Sequence, residues 1–187
     1  QEGEVPSKPE FVRRGFDSIA SRYDRLNDLM TAGLHRRWKR EAAQRLGLQP
    51  GMRVLDFCSG TGDLAWRAAG CIQPGGLVAA LDFSPRMIGA GRERARMYDV
   101  ESILSWIRGD AMQLPFVDAC FDGAMVGFGL RNVVSIPAVL REVYRVLRPG
   151  GRFVNLDTAE SEWKAIRPLY RFYMNRIVPM LGKWFAG

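Results

Sequence analysis

Nothing constrains the fold of this chain more than RVLDFCSGTGDLAW, residues 53–66. A short apolar run meets a turn built on Gly60 and Gly62, and a helical pattern starts at about Asp63. A buried strand that turns through glycine into a helix is how a parallel strand pair begins, because such strands need a helical crossover. The rhythm then recurs. Strands are predicted at 77–83, 103–107, 121–127 and 152–157, with helices over 84–98 and 135–147. Ser84 reads as an N-cap and Pro85 as the first helical residue after it. Leu140, Val143 and Leu147 are expected on the buried face of the 135–147 helix. The alternation predicts an α/β class: a Rossmann-like, mostly parallel sheet with helices on both faces.

At 187 residues the chain suits one core domain with flanking segments. Residues 1–9 are polar, with two prolines, and read as a flexible arm. Over 10–48 the spacing of Val12, Phe16, Ile19, Tyr23, Leu26 and Met30, followed by a second helix at 36–47, predicts an N-terminal helical lid. Residues 49–160 form the sheet core, and 161–187 a basic, aromatic helical segment. Cys58, Cys71 and Cys120 form no CxxC pair and His35 is the single histidine, so neither a disulfide framework nor a metal site is expected. No apolar run approaches the roughly 18 residues of a membrane span. The net charge of +7 admits nucleic acid, an anionic membrane or an acidic substrate as partner, or a merely solvated basic surface.

In a doubly wound sheet the ligand lies beyond the carboxyl ends of the strands. Gly60 and Gly62 allow the tight turn and close approach to the main chain, and Asp82, twenty positions on, ends the second strand where a carboxylate takes a ribose diol. Those features suit a dinucleotide and S-adenosylmethionine alike. The acids separate the two. Asp56 and Asp63 flank the helix N-terminus where a pyrophosphate would sit, and like charges oppose it. A ligand bearing a sulfonium and an ammonium is favoured instead. Asp110 and the amide of Ala111, after the third strand, are placed to meet an adenine edge, with Phe83 and Met112 as candidates for its two faces.

At this point the chain resembles the class I S-adenosylmethionine-dependent methyltransferases. More narrowly, it is similar to the quinone ring C-methyltransferases of ubiquinone, menaquinone and phylloquinone biosynthesis. The resemblance rests on YDRLNDLMTAGLHRRWKR (23–40), VLDFCSGTGDLA (54–65), GDAMQLPF (109–116), FGLRNV (128–133) and YRVLRPGGR (144–152). It implies methyl transfer from S-adenosylmethionine to a ring carbon of a prenylated quinol, with Thr61, Asp82, Asp110 and Ala111 matching cofactor contacts. It also implies a seven-stranded sheet, so two C-terminal strands are expected beyond Gly187. Arg131 and Asn132 after the fourth strand, and Tyr23 and His35 in the lid, are the catalytic candidates, Arg131 as a stabiliser of a phenolate. GFGLRNVV and SWIRGDAMQLPF look closer to the phylloquinone branch of photosynthetic organisms, which leans towards a demethylnaphthoquinol (demethylmenaquinol or demethylphylloquinol), with a benzoquinol as the alternative.

Two segments carry the charge. Arg36, Arg37, Lys39, Arg40 and Arg45 stand against Glu41, and Lys164, Arg167, Arg171, Arg176 and Lys183 against Glu162, the second set interleaved with aromatics. Peripheral contact with an anionic membrane surface follows as an expectation. A plastid or a bacterial cytoplasm is the expected compartment, and a homo-oligomer is an option. A nucleic-acid methyltransferase is disfavoured because GFGLRN stands where base methylases place Pro-Pro-aromatic; an NAD-binding module is the remaining rival.

Overall fold

The computed structural model describes residues 10, 15, 17, 20, 27, 28, 31 and 33–157. Tyr23, the 1–9 arm, most of the 12–30 helix and the 161–187 segment lie outside the described residues. Helix α1 (Leu34–Arg45) precedes β1 (Arg53–Phe57), α2 (Asp63–Ile72), β2 (Leu77–Asp82), α3 (Pro85–Met97) and β3 (Leu104–Arg108). After β3 come β4 (Phe121–Gly127), a single 3-10 turn at Leu130–Asn132, α4 (Ile136–Val146) and β5 (Leu147–Leu156).

The five strands form one parallel sheet in the order β3-β2-β1-β4-β5. Val54, Leu55 and Phe57 of the central strand are sealed from solvent, as expected of a strand covered on both faces. Alternation divides them. Val54 packs with Leu46 of the α1 end, with Leu64, Ala68 and Ile72 of α2, and with Ala95 of α3. Leu55 and Phe57 pack instead with Val139, Val143 and Val146 of α4. Helices therefore cover both faces. The chain returns to the other side of β1 only at β4, so the switch in strand order falls between β1 and β4, where a crevice opens at the strand ends.

Within the described residues 33–157 the predicted strands and helices are present, with shifted ends. Helix α1 starts at Leu34 rather than at 36, α2 runs on to Ile72, and β5 begins at Leu147, a residue expected on the buried helix face, five positions before the predicted strand start at 152. One face assignment is corrected. Leu140 is 40% exposed, because α4 turns Val139, Val143 and Val146 to the sheet and position 140 lies one step, about 100°, further round. The Ser84 hydroxyl accepts from the Met87 amide at 3.1 Å, the expected cap of α3.

Candidate functional site

The crevice holds a cavity with about 880 Å³ of empty space, part of it open to solvent. Its walls include Gly60, Asp82, Phe83, Asp110, Ala111, Met112 and Asn132, all singled out by sequence. Gly60 has φ +57°, a left-handed turn that aims its amide at the end of β2, where it donates to Asp82 Oδ2 at 2.7 Å. The Ser84 amide donates to Asp82 Oδ1 at 2.8 Å. Both oxygens are thus oriented by main chain. Burial pushes this carboxyl above its usual range, and the amides of Ser84, Gly60 and Phe83 offset part of that cost. Asp110 Oδ1 accepts from the Met112 amide at 2.8 Å, which sets the turn after β3. Phe83 is 42% exposed on the wall rather than packed into the core.

Sequence reasoning missed other wall residues: Ser84, Met87 and Val134. Cys58 and Phe128 both have positive φ, at 52° and 60°, so the loops after β1 and β4 are tightly bent. A β-carbon at Gly129 would collide with Cys58, so the two loops touch. The glycines flanking Phe128 were the readable signal. Burial, with Asp82, Asp56 and Asp110 nearby, drives the Cys58 thiol far up, so it stays protonated.

Other sequence candidates stand off the cavity wall. Asn132 Nδ2 donates to the Phe128 carbonyl at 3.3 Å and does line it, but Arg131 does not. Arg131 pairs with Asp157 at 3.4 Å and lies over the Phe128 ring, 5.9 Å from its centroid. Thr61 is buried and its hydroxyl accepts from Arg94 at 3.4 Å. Gly62, at φ +76°, caps α2 with its face against Trp106, where a β-carbon would clash.

Asp56, Asp63 and His35 lie in a buried cluster behind the glycine turn. Lys39 Nζ donates to Asp63 Oδ2 at 2.6 Å, with both side chains almost wholly buried. His35 Nε2 meets Asp28 at 2.8 Å, and its Nδ1 stands 3.8 Å from Asp63. Burial raises the Asp63 carboxyl, but Lys39, Arg67 and Arg94 outweigh it and hold it below the ordinary value. Neither oxygen of Asp56 has a hydrogen-bond partner among the described residues, and burial raises this carboxyl well above normal, with Lys39 opposing. Two expectations change here. Lys39 is a buried counter-ion, not a membrane-facing charge, and Asp63 is already matched by it. The carboxylates that face the cavity are Asp82 and Asp110.

Among the described residues these two are the cavity's charged walls, and no Lys, Arg or His lines it. The wall offers a phosphate no basic partner among the described residues. The family model for the ubiE/COQ5 methyltransferase family matches residues 5–187. The chain belongs to that family. It is 40% identical over 180 residues to the demethylmenaquinone methyltransferase of Desulfitobacterium hafniense (strain Y51), covering 96% of this chain and 71% of that one. It is 41% identical to the Geobacillus kaustophilus (strain HTA426) protein of the same name, covering 96% and 76%. Among solved structures, the [4+2]-cyclase SpnF superposes with a TM-score of 0.71 at 23% identity, over 84% of this chain and 62% of that one. A S-adenosylmethionine-dependent methyltransferase from Aquifex aeolicus gives 0.61 at 21%, over 67% and 66%. Those two likenesses speak to the fold. As a member of the family, the chain is a methyltransferase with S-adenosylmethionine as its cofactor.

Proposed function

We propose that the protein methylates a ring carbon of a prenylated demethylnaphthoquinol, demethylmenaquinol above all, with demethylphylloquinol as a related substrate. The observation that carries the reading is the acid-walled cavity, base-free among the described residues, in a chain 40% identical, over nearly its whole length, to a demethylmenaquinone methyltransferase. When bound, S-adenosylmethionine supplies an electrophilic methyl group on a positively charged sulfur. Asp82, held by two amides, takes the ribose diol; Asp110 and the Ala111 amide take the adenine edge; Phe83 and Met112 pack against it. The buried acids Asp56 and Asp63 lie behind the turn, off the cavity wall.

The ring of a quinol is itself nucleophilic beside an ionised hydroxyl, so the chain's task is alignment and exclusion of water. Asn132 offers its side-chain amide at the wall for a quinol oxygen. Arg131, anchored on Asp157 and Phe128, fixes the 127–133 loop and adds positive potential where a phenolate forms. The protonated Cys58 thiol does not compete as a nucleophile. The test is transfer of a tritiated methyl group to a panel of reduced demethylquinones. Labelled naphthoquinol is expected, and label on benzoquinols alone would replace this substrate by the ubiquinone-type one.

Contact with an anionic bilayer belongs to the same reading. Arg36 and Arg45 are matched by Asp28 and Glu41, which leaves exposed Arg37 and Arg40 beside Leu34 and Trp38, 50% and 36% exposed. The bacterial relatives favour a bacterial cytoplasm over a plastid. Among the described residues no helix is long and apolar enough to cross a membrane. Flotation with anionic but not neutral liposomes is expected, and equal, negligible binding to both would remove the contact.

A further inference from the structure

Helix α4 carries more apolar surface than the core uses. Val139, Val143 and Val146 are buried against the sheet. One step round the helix, Ile136, Leu140 and Tyr144 follow at four-residue spacing, 42%, 40% and 85% exposed. Residues four apart stack along one helical face, so these three form a continuous stripe. It begins at the cavity: Val134, 52% exposed, is both a wall residue and the position just before the α4 cap. It leads away from the crevice, because α4 returns from the carboxyl end of β4 to the start of β5, where Leu147 pairs with Phe121.

Resting on the substrate reading above, we propose that this stripe is the track for the polyisoprenoid tail of the quinol. The cavity must hold an adenosine-bearing cofactor and a fused ring, so a long tail has to leave it. The apolar rim at Val134 opens directly onto the stripe. A hydrocarbon chain needs no polar partner, which matches a stripe of branched and aromatic side chains between the core face and Arg141. At 1.5 Å per residue the run from Ile136 to Tyr144 is about 12 Å long, room for the first two or three isoprene units. Units beyond that gain nothing from the protein.

The test compares demethylnaphthoquinols bearing no tail and one, two, three or four isoprene units, all kept below their aggregation limit without lipid or detergent. In the wild type kcat/KM is expected to climb with each unit up to about the third and then level off, since each buried methylene adds a similar increment. Leu140→Glu and Tyr144→Glu are each expected to cut the ratio of long-tail to tailless kcat/KM about tenfold, and Arg141→Glu, next to the stripe, to leave that ratio as in the wild type. Leu140→Gln serves should the charged variant at that position fail to fold; Tyr144 is so exposed that its replacement cannot disturb packing. A ratio unchanged in the folded stripe variants overturns the track. If those variants instead lose liposome flotation, or shift the oligomeric state, with the ratio intact, the stripe docks a bilayer or a second copy and the proposal fails. A wild type that methylates no demethylnaphthoquinol, tailless or prenylated, fails the substrate reading itself.

Discussion

Two pairs of aspartates sit within a few residues of strand ends and do different work. Asp82 and Asp110 face the cavity, each oriented by backbone amides at 2.7–2.8 Å. Asp56 and Asp63 lie behind the glycine turn, the first without a partner for its oxygens and the second locked to Lys39. All four look alike in sequence. What separates them is the partner. A main-chain amide orients a carboxylate without cancelling its charge, so that charge stays available to a ligand. A buried ammonium 2.6 Å away neutralises it and makes it structural. The comparison teaches that proximity to a glycine loop does not make an acid part of the ligand site.

The largest effect expected from breaking this contrast is on the buried side. Lys39→Met removes the nearest counter-ion of buried Asp63, leaving it Arg67 at 3.6 Å, and should cost up to about 3–5 kcal/mol of unfolding free energy. Denaturant titration measures it, and a Lys39→Met/Asp63→Leu double variant should recover most of the loss. A single variant as stable as the wild type would show that the pair is not structural. On the cavity side, Asp110→Asn should leave stability nearly unchanged and weaken S-adenosylmethionine about tenfold, the loss of one charge-assisted hydrogen bond. Calorimetric titration reads this directly.

Acid sharpens the contrast next. Asp63 is held below its ordinary value near 3.8. Its stabilising contribution is therefore present above the unfolded-state value and is lost as pH falls through the folded one. The wild type should lose more stability than Asp63→Asn between about pH 4 and pH 2, followed by urea midpoints at each pH. The smallest effect is a surface reference. Glu41→Ala, which removes the exposed helical pair with Arg45, should cost only about 0.3–0.5 kcal/mol.

The sheet was legible because its inner strands are covered on both sides and read as near-continuous apolar runs between glycine and proline turns. Gly60, Asp82, Asp110 and Ala111 were legible for a related reason: a strand end fixes where a residue points before anything else is known. The behind-loop cluster was not. Lys39 and Asp63 are 24 positions apart, and nothing local marks them as partners. His35 was expected near the substrate; it is instead 2% exposed against Asp28, off the cavity wall, because α1 turns it inward with Lys39. Leu140 was misassigned because α4 carries apolar residues on two adjacent faces, and periodicity alone cannot say which one meets the sheet. That surplus face is the one now given to the tail.

The central claim is that the acid-walled cavity at the strand ends binds S-adenosylmethionine through Asp82. Calorimetric titration of the wild type and of Asp82→Asn with S-adenosylmethionine and with NAD tests it most directly. The account predicts saturable S-adenosylmethionine binding, weakened about 100-fold by Asp82→Asn as two charge-assisted hydrogen bonds to the diol are lost, and no heat with NAD. Tight NAD binding, or S-adenosylmethionine binding indifferent to Asp82→Asn, would contradict it.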